Sequence, residues 1–356
     1  MAGLTGPEWT GLLQAARESE LLGTLWRLAG EAGVQERLPE PAARHLWGGY
    51  LAAERNAEAV RWELEQLDGG LLGRLSPPVA LKGAAYLLAG LPNAAGRVCH
   101  DIDLLFPADE VGRAESLLFF EGWQASPHDA HDQRYYRQWM HELPPLVHRR
   151  RGATLDLHHN LLPETFAVRV EPRRVLDAAA PLAAPWRLRV PAPEHLALHA
   201  AVHLFAETEW QRGLRDLYDI HALVEHFQAA RGDRFWEELL DEAEALGVAW
   251  LVEPALACGR TLLGTRVPAA AAERLERHGP PRWRRGPMRA LFRHGLNTRA
   301  SRTPRRDALA RAALLLRGHW LKMPPTLLAR HLLYKAFRAP QGARAGGGET
   351  PTHRHG

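Results

Sequence analysis

The chain has 356 residues, 46% hydrophobic and 24% charged, a globular composition long enough for a sizeable core and more than one lobe. Its two cysteines, Cys99 and Cys258, exclude a disulfide framework and a four-cysteine zinc site, and they predict a reducing, cytoplasmic setting. The net charge of +4 hides an asymmetry, because residues 271–356 carry 19 Lys and Arg against 4 Asp and Glu, while residues 1–270 carry 26 against 37. No apolar run reaches the ~18 residues of a membrane span. Met1 to Glu20 lacks the basic-then-apolar layout of an export signal.

Along the chain, residues 7–75 read as helical. Apolar positions at Trp9, Leu12, Leu13 and Ala16, and again at Leu46, Leu51, Ala52, Val60, Leu64 and Leu67, recur near helical spacing. The stretch 54–67 predicts a long amphipathic helix, stopped by Pro77-Pro78. Val79 to Leu81 reads as a short buried strand, with Gly83 opening a turn into a helix over about 84–90. A strand at Asp101–Phe106, a helix at 109–121, and a hairpin formed by Leu143–His148 and Ala153–His158 around Arg149-Arg150-Arg151-Gly152 follow. Beyond Pro191 the pattern is helical again, at 193–205, 212–227, 233–246, 249–262, 305–320 and 325–337. The tail 339–356, rich in Gly, Pro and His, reads as disordered.

The chemistry concentrates on three carboxylates. In a strand, alternate side chains point to one face, so Asp101 and Asp103 project together while Ile102 and Leu104 anchor the strand. Two carboxylates so placed repel each other unless a cation sits between them, and hard divalent cations prefer oxygen ligands. Asp156, flanked by Leu155 and Leu157, supplies a third acid if the strands pair in one sheet. Gly83 lets the backbone approach a phosphate, and the helix after it aims its positive end at that anion. Lys82 and Arg97 are candidate phosphate cations.

Taken together, Leu-Lys-Gly-Ala at 81–84, Arg97 followed by Asp-Ile-Asp-Leu-Leu at 101–105, Leu-Asp-Leu-His-His at 155–159, Arg55-Asn56 upstream and Gly-Leu-Arg-Asp-Leu-Tyr-Asp at 213–219 resemble an uncharacterised bacterial branch of the DNA-polymerase-β-like nucleotidyltransferase superfamily. The resemblance covers about residues 10–230. It implies an α/β (α+β) core with a mixed sheet and flanking helices, bound Mg²⁺ (or Mn²⁺), and an NTP donor such as ATP. Carried over by position, Gly83 is the phosphate-turn glycine, Asp101 and Asp103 bind metal, and Asp156 is the third acid, which helps to activate the acceptor hydroxyl. The wider motif has Gly-Ser or Gly-Gly at the turn, whereas this chain has Gly83-Ala84, so the turn hydroxyl is missing and Lys82 is the residue placed to compensate. On the downstream helix, Arg215 either meets phosphate or forms a salt bridge with Asp216 or Asp219.

Histidines border these acids. His100, His158 and His159 read either as supports of the strand edge or as transition-metal ligands. His195, His199 and His203 share one helix face and read as an interface against the catalytic sheet, with metal binding as the sharper alternative. The expected organisation is a helical region at 1–76, a catalytic core at 77–190, a helical lobe at 191–265, a basic helical extension at 266–338 and the tail. The expected reaction moves a nucleoside monophosphate from an NTP to an acceptor left open, with release of pyrophosphate. Two alternatives share the motif: a non-catalytic nucleotide sensor or scaffold, and a sugar-nucleotide glycosyltransferase whose Asp-x-Asp holds a metal on a diphosphate. The basic C-terminal region suits a polyanion or an anionic membrane surface, unless its arginines only solvate exposed helix faces; for the helices at 305–337, a lobe packed on the core is preferred to a membrane contact.

Overall fold

The computed structural model describes residues 4–125, 139–206, 208, 210–298 and 303–322. Within them the chain is α+β. Thirteen α-helices are arranged about one mixed seven-stranded sheet, as the sequence predicts.

The N-terminal region is helical. Helix α1 (Gly6–Glu18) starts at a capping box in which Thr5 and Glu8 satisfy each other's end of the first turn. Helices α2 (Leu22–Glu31) and α3 (Glu40–Gly69) pack together. The predicted helix at 54–67 is the second half of the 30-residue α3. Its buried residues Leu46, Ala53, Val60, Leu64 and Leu67 fall on one stripe, so a single face is covered along its length. Because residues 6–74 are helical apart from connections, no α/β nucleotide-binding half precedes the Asp-x-Asp strand. A sugar-nucleotide glycosyltransferase needs such a half before its Asp-x-Asp, and the helical residues 6–74 give that alternative no support.

The sheet is built from β1 (Val79–Leu81), β2 (Ile102–Leu105), β3 (Trp123–Ala125), β4 (Leu146–His148), β5 (Thr154–His158), β6 (Ala180–Pro181) and β7 (Arg189–Val190), in the order β3-β4-β5-β2-β1-β7-β6. Strand β2 lies at its centre, antiparallel to β1 and parallel to β5. Every residue of β1 and β2 is buried, as expected of strands covered on both faces. The predicted hairpin is present, with β4 and β5 antiparallel around Gly152, whose φ of +71° suits the left-handed turn. Strands β3, β6 and β7 are absent from the sequence reading: β6 and β7, of two residues each, are too short to display alternation, and in β3 only Trp123 is buried.

Helix α4 (Lys82–Leu88) follows β1 directly, α5 (Val111–Phe120) follows β2, and the short α6 (Pro172–Ala178) leads into β6. Beyond the sheet come α7 (Pro193–Ala206), α8 (Gly213–Arg231), α9 (Asp233–Ala245), α10 (Ala249–Leu263), α11 (Ala269–His278), α12 (Arg282–Leu296) and α13 (Pro304–Lys322). The sequence reading did not name α11 and α12 individually. One continuous apolar core runs from Val60 of α3 through the sheet to Leu314 of α13, and Trp9, Ala29, Leu38, Ala42 and Leu46 form a second cluster. The predicted helix at 325–337 and the tail 339–356 lie outside the described residues.

Candidate functional site

The site grows from the junction of β1 and α4. Lys82 has a φ of +44°, a left-handed conformation uncommon for a residue with a side chain. The positive φ thus belongs to Lys82 and not to Gly83. Strain of this kind persists only where the surroundings hold it, and here Lys82 Nζ donates to Asp103 Oδ1 at 2.8 Å. Gly83 is required for a different reason. A Cβ there would lie 2.5 Å from Cys99 Sγ and 2.6 Å from a guanidinium nitrogen of Arg97, so only glycine lets the helix start pass under the loop that leads to Asp101.

That loop is fixed from α3. Asn56 Nδ2 donates to the Cys99 carbonyl at 2.9 Å, and the Cys99 N–H donates to Asn56 Oδ1 at 2.7 Å. The side-chain amide thereby acts as a strand partner for the backbone two residues before Asp101. The predicted strand Asp101–Phe106 begins one residue later, at Ile102, which leaves Asp101 half-buried at its mouth.

Parallel pairing of β2 with β5 sets Asp103 opposite Asp156 in register, and Leu105 opposite His158. Residues in register share a face, so Asp103, Asp156 and His158 converge. Asp103 is 1% exposed and accepts from His158 Nε2 at 2.9 Å as well as from Lys82. Burial alone would push its carboxyl up, but Lys82 and His158 outweigh burial and hold it well below the usual carboxylate range. The same pairing works on Lys82, where burial favours the neutral amine but Asp103, Asp101 and Glu142 keep the ammonium charged far into alkaline pH. Asp156 has the opposite fate. Burial, followed by the negative charges of Asp103 and Glu142, pushes it up to about 8. Its Oδ1 is buried and has no hydrogen-bond partner among the described residues. Asp103 and Asp156 stand opposite each other, and Asp156 keeps an unpaired buried oxygen, so this pair of oxygen donors suits a hard divalent cation; with Asp101 at the strand mouth, the three acids do not form one group of converging ligand atoms among the described residues.

Two clefts meet at Asp101. One, of about 330 Å³, is lined by Lys82, Gly83, Arg97, His100, Asp101, His203, Gln211, Arg212 and Arg215. The other, of about 490 Å³, lies between α3 and the β4–β5 hairpin and is lined by Asn56, Trp62, Glu63, Asp101, Arg151 and Thr154 among others.

Both arginines expected at phosphate have carboxylate partners. Arg97 Nε donates to Asp219 Oδ2 at 2.9 Å, and Asn93 holds the other oxygen of the same carboxylate, so this buried pair joins the loop ahead of β2 to α8. Arg215 donates to Asp216 and, at 2.7 Å, to Glu20. Ala84 is fully buried and presents no polar group to the cleft. Arg212, unremarked in the sequence, is exposed in the cleft wall and has no ion-pair partner among the described residues.

The histidines separate by role. His158 sits on the Asp103 face, whereas His159 turns away, its N–H donating to the His141 carbonyl. His100 pairs with Glu20 at 2.8 Å. On α7, His195 contacts Glu242 at 3.1 Å, His199 is buried and kept neutral by burial and by the nearby Lys82, and His203 lines the first cleft. The expected interface is thus with helices and not with the sheet, since Glu242 lies on α9 and α7 packs chiefly against α8, α9 and α10. Among the described residues, the α7 histidines form no cluster of metal-ligating atoms. Glu142 and His141, missed in the sequence, join His158 through a cross-strand bridge between Glu142 and His158. Their signal was weak because they lie outside any regular element, and only tertiary pairing brings them to β5.

A strand–turn–helix, then an Asp-x-Asp strand set parallel to a third acidic strand in a mixed sheet, defines a core of nucleotidyltransferase type. The chain belongs to the family described as uncharacterised nucleotidyltransferase, whose match spans residues 5–264. No curated protein and no solved structure matches the chain.

Proposed function

We propose that the protein transfers a nucleoside monophosphate from an NTP to an acceptor hydroxyl or phosphate and releases pyrophosphate. The observation that carries this reading is the register of Asp103 with Asp156, with Asp101 at the mouth of two clefts. Asp101, Asp103 and Asp156 would hold Mg²⁺ (or Mn²⁺), which supplies charge neutralisation on the phosphates and a lowered pKa for the attacking hydroxyl.

The side chains supply the rest. Lys82 and Arg212 bring positive charge to the first cleft, where a triphosphate fits, and the start of α4 offers backbone N–H groups. Asp156 is the acid placed to take the acceptor's proton once a bound cation has displaced its own, since its metal-free surroundings raise its affinity for a proton. The second cleft opens on Asp101 from the other side and is the natural place for the acceptor. Such a reaction depends mainly on positioning and charge neutralisation. The two cysteines are buried and unpaired, in keeping with a cytoplasmic setting. No helix among the described residues is long and apolar enough to cross a membrane. Exposed Trp283 and Trp320 on the arginine-rich α12 and α13 support contact with a polyanion or an anionic surface.

A non-catalytic nucleotide-binding role is the second reading. It is favoured by the missing hydroxyl at Ala84 and by Asp103 already being neutralised by Lys82. Incubation with each NTP, Mg²⁺ and a panel of acceptors separates the two. Pyrophosphate release that disappears in Asp101→Ala supports transfer, whereas nucleotide binding without any release supports the sensor. If Asp101→Ala and Asp103→Ala leave metal and nucleotide binding intact, the site assignment is wrong.

A further inference from the structure

We propose that His141, Glu142 and His158 form a binding site for one transition-metal ion of the Zn²⁺ class, beside and distinct from the Asp101, Asp103 and Asp156 carboxylates, with its fourth position open. One ligand atom from each of the three residues lies within 4.8 Å of the others.

The distances already approach those of a coordination shell. His158 Nε2 is 3.4 Å from Glu142 Oε2 and 2.9 Å from Asp103 Oδ1, and His141 Nε2 is 3.7 Å from the same Glu142 oxygen. Around a tetrahedral ion with bonds of about 2.0–2.2 Å, ligand atoms stand about 3.3–3.6 Å apart. The two contacts of Glu142, at 3.4 and 3.7 Å, already stand near that spacing.

The backbone holds this arrangement. Glu142 and His158 are cross-strand partners, and the His141 carbonyl accepts from the N–H groups of His159 and Asn160. Both imidazoles have a buried Nδ1 without a partner among the described residues, so neither ring is committed elsewhere through that atom. His158 and Asp103 are sealed at 1% side-chain exposure, while His141 and Glu142, at 13% and 17%, leave an entrance.

The donor chemistry selects the ion. Two imidazoles with a carboxylate oxygen suit Zn²⁺ and its neighbours, whereas Mg²⁺ prefers an all-oxygen shell. Bound there, the ion would displace the Nε2 proton of His158, which the metal-free protein donates to Asp103 Oδ1. Its occupancy would then be felt at the Lys82–Asp103 pair.

The test uses the full chain with Co²⁺ alone and no nucleotide. The expected result is one equivalent bound, with the intense visible bands of tetrahedral Co²⁺, displaced by stoichiometric Zn²⁺ and not by excess Mg²⁺. Loss of a mere supporting group around a metal weakens binding by about 10–100-fold, so His141→Ala and Glu142→Gln should each weaken it by at least about tenfold. Both side chains are partly exposed, and circular dichroism confirms that the variants are folded. Absence of tetrahedral bands, binding that survives both substitutions, or displacement by Mg²⁺ would overturn the proposal. None of these readouts depends on pyrophosphate release, so the two readings fail independently.

Discussion

Asp156 is an acid whose surroundings oppose its ionisation, and this makes it a reporter for the site. Its carboxyl titrates at about 8 in the folded chain, against about 3.9 for an unperturbed aspartate. Between those values the folded state keeps a proton that the unfolded state has lost. Unfolding then releases a proton, and stability falls as pH rises from about 4 through about 8. The metal-free protein is therefore expected to resist urea best at the acid end of this range. Asp156→Asn, with a neutral amide of the same shape, should lose much of that decline. Parallel pH profiles for the two proteins would show that Asp156 titrates normally. The acid itself was visible in the sequence as Leu-Asp-Leu, but its shifted titration was not. That shift comes from burial and then from Asp103 and Glu142, which are 53 and 14 positions away in the chain and are brought near only by the sheet.

At the scale of elements, the site is a junction of four pieces held by side-chain clamps. Helix α3 reaches it through Asn56, whose amide makes two hydrogen bonds with the Cys99 backbone. Helix α8 reaches it through Asp219 on Arg97 and Asn93. Asn56→Ala should remove both contacts to the loop. The expected cost is about 1–3 kcal/mol of stability in chemical denaturation, with faster amide exchange at Cys99 and weaker metal binding at Asp101. Unchanged exchange at Cys99 would mean that the loop holds itself. The sequence marked Arg55-Asn56 and the 213–219 helix only through their resemblance to relatives. Their physical task, fixing the approach to β2, emerges once α3 and α8 are seen to meet the same loop.

For the whole molecule, the family match ends at residue 264 but the core does not. Phe292 of α12 is fully buried and stacks edge-on against Phe205 at 4.8 Å, with Trp210 packed beside it. Helix α13 adds the fully buried Leu314, a bond from Arg317 to the Phe205 carbonyl, and one from Thr165 to the Lys322 carbonyl. A chain ended at Gly264 would expose Phe205 and Trp210 at the end of α7, close to the first cleft. Its expected loss is at least about 3–5 kcal/mol, the size of one large aromatic deletion. A lowered melting temperature and binding of an apolar dye would show it, and an unshifted melting curve would refute it. The sequence reading prefers a lobe packed on the core for the helices at 305–337, and the buried Leu314 bears this out for α13. The net basic charge of residues 271–356 could not show it, because composition does not distinguish a buried helix face from a solvated one.

The sequence by itself determined the α+β class, the order of most of the helices, and the three acids, two on strands and Asp101 just before one. Each of these is written in a local pattern: apolar spacing of about 3.6 or 2 residues, a proline or glycine stop, and carboxylates two apart at the start of a strand. Tertiary structure decided the states of those acids. Strand register set Asp103 against Asp156, a left-handed Lys82 neutralised the first, and residues 141–142 came to His158 from outside any regular element. Charge state and ligand geometry depend on distances of a few ångströms between groups far apart in the chain, and no local pattern encodes those distances.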